Sequence, residues 1–268
     1  MTTRHGSQAG SGSRRADLRE HALRIWQAGV DAVRSDRLVS DHVSVEGNLL
    51  HVADELIELD KVRRIVVVGA GKAGAGMAAG LEAALGPAIL REKQVQGWVN
   101  VPQGCEDAAE LAAIQLHPAR PAGVNEPTEA GVEGSERILR LVSEAGAEDL
   151  VICLLSGGGS ALLPSPAACI TLADKQQVTR HLSGAGANIA ELNTVRKHLS
   201  RVKGGGLLRA CRAGQLATLV ISDVIGDPLD VIASGPTVPD SSTAEQALAV
   251  LEKYDAAAAG ISARVFEV

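Results

Sequence analysis

The chain has 268 residues and a formal charge of −6, with 26 Lys and Arg set against 32 Asp and Glu. So mildly acidic a chain lacks the overall electrostatic footprint of a nucleic-acid binder, and an aromatic share of 1% removes most stacking platforms for bases or sugars. Apolar residues at 46% allow a sizeable core of Val, Leu, Ile and Ala, while Cys105, Cys153, Cys169 and Cys211 form no C-x-x-C pair and give no disulfide or zinc framework. No apolar run approaches the roughly 18 residues of a membrane span. With no targeting segment evident, a cytoplasmic location is the default.

Residues 1–16 mix Gly, Ser, Thr, Gln and Arg and read as a disordered arm. From Asp17, the spacing of Leu18, Ala22, Ile25, Trp26, Val30 and Val33 predicts a helix whose apolar stripe packs on the rest of the chain. A turn at Glu46-Gly47-Asn48 precedes a short strand around Leu49, Leu50 and Val52. Strands are then expected at 65–68, 95–101, 113–116, 150–155 and 217–221, with helices at 73–85, 127–142, 171–182, 189–201 and 244–254. Continuous apolar strands separated by helices define an α/β fold: a Rossmann-like, mostly parallel sheet with helices on both faces.

Ligands of such sheets bind beyond the carboxyl ends of the strands, which singles out three loops. Gly69-Ala70-Gly71-Lys72-Ala73-Gly74 fits G-x-G-x-x-G and is a candidate phosphate cradle through Gly69 and Gly71. Its Lys72 suits a phosphoryl group or a carboxylate. A nicotinamide enzyme would want an acid at the end of the next strand, and Trp98-Val99-Asn100-Val101-Pro102 supplies none. Ser156-Gly157-Gly158-Gly159-Ser160 frees three glycines for a nest of N–H donors rimmed by hydroxyls. It is not a nucleophile elbow, and a hydrolase built on Ser160 would need His181 or His198 as base. In the third loop Asp223 and Asp227 stand four apart, an arrangement suited to Mg²⁺, and Asp223 could instead accept a hydroxyl proton. Asn193, Arg196, Lys197, Lys203 and Gly204 to Gly206 concentrate positive charge and point to a small anionic ligand. His117, before Pro118, reads as structural.

Taken in order, five segments resemble the amino-terminal domain of the ATP-dependent glycerate 2-kinases, whose second domain is called MOFRL. They are Val68-Gly69-Ala70-Gly71-Lys72-Ala73, the 155–161 triglycine segment, Asn193-Thr194-Val195-Arg196-Lys197-His198, Ser222-Asp223-Val224-Ile225-Gly226-Asp227, and Ile232-Ala233-Ser234-Gly235-Pro236-Thr237. The resemblance covers 17–254 and implies phosphoryl transfer from ATP to D-glycerate with Mg²⁺ or another divalent cation. It implies Lys72 and Asp223 as catalytic, Gly69, Gly71 and Ser156 to Ser160 as phosphate-binding, and Asn193, Arg196 and Lys197 as substrate-binding. Asp223 and Asp227 are the implied metal ligands. The alternatives are a hydroxypyruvate reductase using NAD(P)H and a non-catalytic metabolite-binding domain. No membrane or nucleic-acid partner is expected, and homo-oligomerisation stays open. Residues 255–268 read as a tail where a linker to a second domain would begin. Because the family's cleft lies between two domains, with a catalytic arginine on the second, this chain alone is expected to have little kinase activity.

Overall fold

The structure, a computed structural model, describes residues 9–268, without the side chains of 9–14 and 16. It opens with α1 (Ala9–Ala32) and α2 (Ser35–His42), followed by an antiparallel ribbon of β1 (Val43–Glu46), β2 (Leu49–Val52) and β3 (Glu55–Glu58). The expected arm thus lies outside the described residues for 1–8, and from Ala9 the chain is helical. The expected packing of the α1 stripe is not found. Leu18, Ile25, Trp26 and Val33 are exposed by more than half, because periodicity fixes which face is apolar but not what covers it.

Five parallel strands follow: β4 (Arg64–Ala70), β5 (Gln96–Pro102), β6 (Ile114–Arg120), β7 (Asp149–Ser156) and β8 (Gln215–Ile221). Their order is β6-β5-β4-β7-β8, with every neighbouring pair parallel. The helices between them are α3 (Gly74–Glu92), α4 (Glu129–Ser143), α5 (Gly159–Leu162), α6 (Leu172–Gly184), α7 (Ile189–His198) and α8 (Gly206–Ala210). Alternation along β4 and β7 explains the unbroken apolar runs. Ile65, Val67, Leu150, Ile152 and Leu154 pack with α3, α2 and the ribbon, while Val66, Val68, Val151, Cys153 and Leu155 pack with α4 and α8. Both faces of the sheet are therefore buried along β4 and β7, while the edge strand β8 is half-buried.

At the amino end of the sheet, the buried Asp149 carboxylate accepts from Arg64 Nη2 (2.7 Å), Arg63 Nη2 (3.1 Å) and the Gly146 amide (2.9 Å). Removing it leaves two guanidinium groups unpaired, although both keep some contact with water. Asp149→Ala is expected to lower stability by about 2 kcal/mol, below the loss at fully buried pairs. Chemical denaturation measures it.

A third core joins α6, α7 and α9 (Ala244–Lys253). Each begins with a reciprocal capping box: Thr171 with Asp174, Asn188 with Glu191, and Thr243 with Gln246. The stretch expected as a linker tail belongs to this core, since Ala256, Ile261 and Val265 are buried in it. Of these three helices, α6 and α7 border a cavity beside the loop that follows β7.

Candidate active site

The strand order reverses at β4, which lies between β5 and β7, so a crevice is expected where the loops after β4 and β7 diverge. The loop after β4 is closed off instead of open. The Gly71 amide donates to Asn100 O (3.1 Å), Lys72 N to Gly157 O (2.9 Å), and Ala73 N to Ser156 Oγ (3.0 Å). A Cβ at Gly69 would overlap Leu154 O, and one at Gly71 would overlap Ser156 Oγ. These glycines and Ser156 are thus accounted for by close packing of β4 on β7. The phosphate cradle expected at Gly69 and Gly71 has no free amides at Gly71, Lys72 or Ala73.

The triglycine loop differs. Gly158 is left-handed (φ +83°), and the amides of Gly158, Gly159 and Ser160 have no backbone acceptor among the described residues. A Cβ on Gly158 would come within 3.1 Å of Lys72 Cε and 3.3 Å of Arg120 Nη2, so two cations reach this point from the ends of β4 and β6. Arg120 is 4% exposed and its Nε is unpartnered. Asp223, exposed at the end of β8, abuts the loop at Gly157, where a Cβ would lie 2.8 Å from its Cγ. Free amides, two cations and one carboxylate therefore surround the loop.

On its other side the loop borders a cavity of about 610 Å³, walled by α6 and α7. Gly157 to Ser160, Asn193, Arg196 and Asp223 line it, as do Lys175 and Lys203. Ser160 Oγ meets Ser234 Oγ at 3.0 Å, and Ser234 Oγ donates to Asn193 Oδ1 at 3.3 Å, which ties α7 to the loop. Lys175 Nζ donates to Leu199 O (2.6 Å), and Lys203 Nζ donates to Ser160 O (3.0 Å). Burial, with repulsion from Arg196, pushes the Lys175 ammonium down to about 7, and burial pushes Lys203 well below its usual value.

Two of the expected site residues lie elsewhere. Lys197 is buried against Asp240 (3.2 Å) and Asp230 (3.6 Å), and is absent from the cavity lining. Asp227 lines a neighbouring hollow with Val33, Met77 and Ile221, whereas Asp223 lines the cavity. Neither histidine approaches Ser160: His181 Nε2 bonds Tyr254 O, and His198 faces Ser242 and Asp240. His117 bonds Ala130 O at 2.8 Å and stacks on Trp98, as a structural histidine does. Lys175 and Arg120 carried no sequence signal, being single cations in an ordinary helix and strand.

Fold and site together define a doubly wound α/β domain with a pocket lined by basic side chains at the carboxyl end of its sheet. Residues 21–268 match the family described as a domain of unknown function, DUF4147, and the chain belongs to that family. It is 40% identical over 253 residues to the glycerate kinase of Rattus norvegicus, a match covering 90% of this chain and 47% of that protein. A protein of Agrobacterium vitis that carries a hydroxypyruvate reductase name is 45% identical over 192 residues, covering 71% and 41%. The crystal structure of glycerate kinase from Thermotoga maritima superposes with a TM-score of 0.75 at 37% identity, over 94% of this chain and 55% of that one. The chain spans about half the length of the relatives it matches. Among the described residues no helix is long and apolar enough to cross a membrane.

Proposed function

We propose that this chain supplies the phosphoryl-handling part of an ATP-dependent D-glycerate 2-kinase. The observation that carries the reading is the triglycine loop, whose amides lack backbone partners and whose Gly158 sits against Lys72 and Arg120, where a Cβ would crowd both. Phosphoryl transfer asks mainly for positioning and charge, and this loop offers both. Gly158 to Ser160 would hold phosphate oxygens through their amides, and Lys72 would offset charge gathering on the transferred group. Asp223 suits a divalent cation that takes one carboxylate with phosphate oxygens and water. When bound, the cation supplies charge neutralisation between phosphates. Against hydride transfer, the strand-end position that a ribose would need holds Asn100, which is buried and donates to Leu162 O at 2.8 Å.

The test pairs two assays on the longest natural form containing this sequence: D-glycerate with ATP, and hydroxypyruvate with NADH. Formation of 2-phosphoglycerate is expected, and Lys72→Ala is expected to lower kcat by about a hundredfold, equivalent to about 3 kcal/mol, with little change in stability. Reductase turnover without phosphoryl transfer would overturn the reading.

A further inference from the structure

Three cations share one wall of the cavity with no acidic partner among the described residues. Lys175 on α6 is 7% exposed, Lys203 is 2% exposed, and Arg196 on α7 is half-buried. The two lysines reach only backbone carbonyls. Arg196 lies close enough to repel both. Lys197, equally buried, is treated differently: it has Asp240 and Asp230 beside it. The fold thus neutralises the lysine outside the cavity and leaves those inside it bare, at a cost in desolvation that packing does not require.

The geometry points to Lys175, Arg196 and Lys203 as a carboxylate subsite that fixes the acid end of a small hydroxy acid, across the triglycine loop from Lys72 and Arg120. This rests on the kinase reading above. That reading places phosphates at the Gly158 amides, so the remaining anionic group of the reactants is the carboxylate. A lysine only 2% exposed can be met only by a compact group, and Val178, Leu192 and Ile232 line the cavity with it. Ser160 and Asn193, joined through the buried Ser234, line the same cavity and offer hydroxyl and amide partners to the substrate's own hydroxyls. An arriving carboxylate also favours the charged lysines, which burial and then Arg196 suppress.

Calorimetry on the longest natural form containing this sequence, with D-glycerate, glycerol, inorganic phosphate and ADP, tests this. Arg196 makes no side-chain hydrogen bond among the described residues, so Arg196→Gln is the first variant, and Lys203→Met is the second in case one fails to fold. Each is expected to weaken D-glycerate at least tenfold and to leave ADP and phosphate within twofold. Glycerol, lacking the carboxylate, is expected to bind far more weakly than D-glycerate. Unchanged D-glycerate affinity in a folded variant overturns the subsite and leaves the kinase reading standing, as does selective loss of phosphate. Binding of neither ADP nor D-glycerate by the wild type overturns both.

Discussion

At pH 7 the Lys175→Met protein is expected to be more stable than the wild type by about 2 kcal/mol, an advantage that shrinks and reverses towards pH 10. Lys175 has an ordinary value of 10.5 and is held at about 7 in the fold, by burial first and by Arg196 second. The unfolded chain therefore binds more protons between those values, and wild-type stability rises as pH rises through that window. At about 1.4 kcal/mol per pKa unit, the buried ammonium costs the fold about 4 kcal/mol at pH 7 and about 1 kcal/mol at pH 10. Methionine removes that penalty but leaves Leu199 O without its donor, a loss of about 2 kcal/mol that does not vary with pH. Arg196 stays charged throughout, and Lys203, shifted in the same direction, is present in both proteins. Urea unfolding at pH 7, 8.5 and 10 measures the difference. A difference independent of pH would mean that Lys175 is not held deprotonated by its surroundings.

The parallel sheet was legible because Ile65 to Val68 and Leu150 to Leu155 are apolar at every position, and only a strand covered on both faces tolerates that. The third core was less legible, since Ala256 to Ala259 looks like a tail until Ala256 and Ile261 are found under α6, α7 and α9. For the site, the glycines located the loops but not their division of labour. Gly69 and Gly71 match a phosphate motif, yet only the register of β4 on β7 reveals that they are there to admit Leu154 and Ser156. Likewise the basic run from Arg196 to Lys203 signalled an anion, but a run does not say which cation has a partner. Asp240, 43 residues beyond Lys197, removes that lysine from the candidates, and Lys175, 21 residues before Arg196, joins them. Both facts depend on contacts between elements distant in the chain.

This division of labour among the glycines yields the largest expected effect on stability. Gly69→Ala would put a methyl group onto the Leu154 carbonyl oxygen, which belongs to the β4–β7 ladder at the centre of the sheet. That oxygen cannot retreat without breaking parallel pairing on a strand buried along its whole length, so a loss of about 3 to 4 kcal/mol is expected. Gly158→Ala meets only side-chain atoms of Lys72 and Arg120, at 3.1 Å or more, and its left-handed backbone adds about 1 kcal/mol of strain. Its effect falls on the ligand instead. A methyl group between those two cations keeps phosphate oxygens from the Gly158 amide, and ADP affinity is expected to drop at least tenfold in a protein that still unfolds cooperatively. Denaturation and ADP titration of the two variants side by side separate the roles. Should Gly69→Ala be stable but unable to bind ADP, with Gly158→Ala binding normally, the phosphates would belong to the loop after β4 and the triglycine loop would be a packing element.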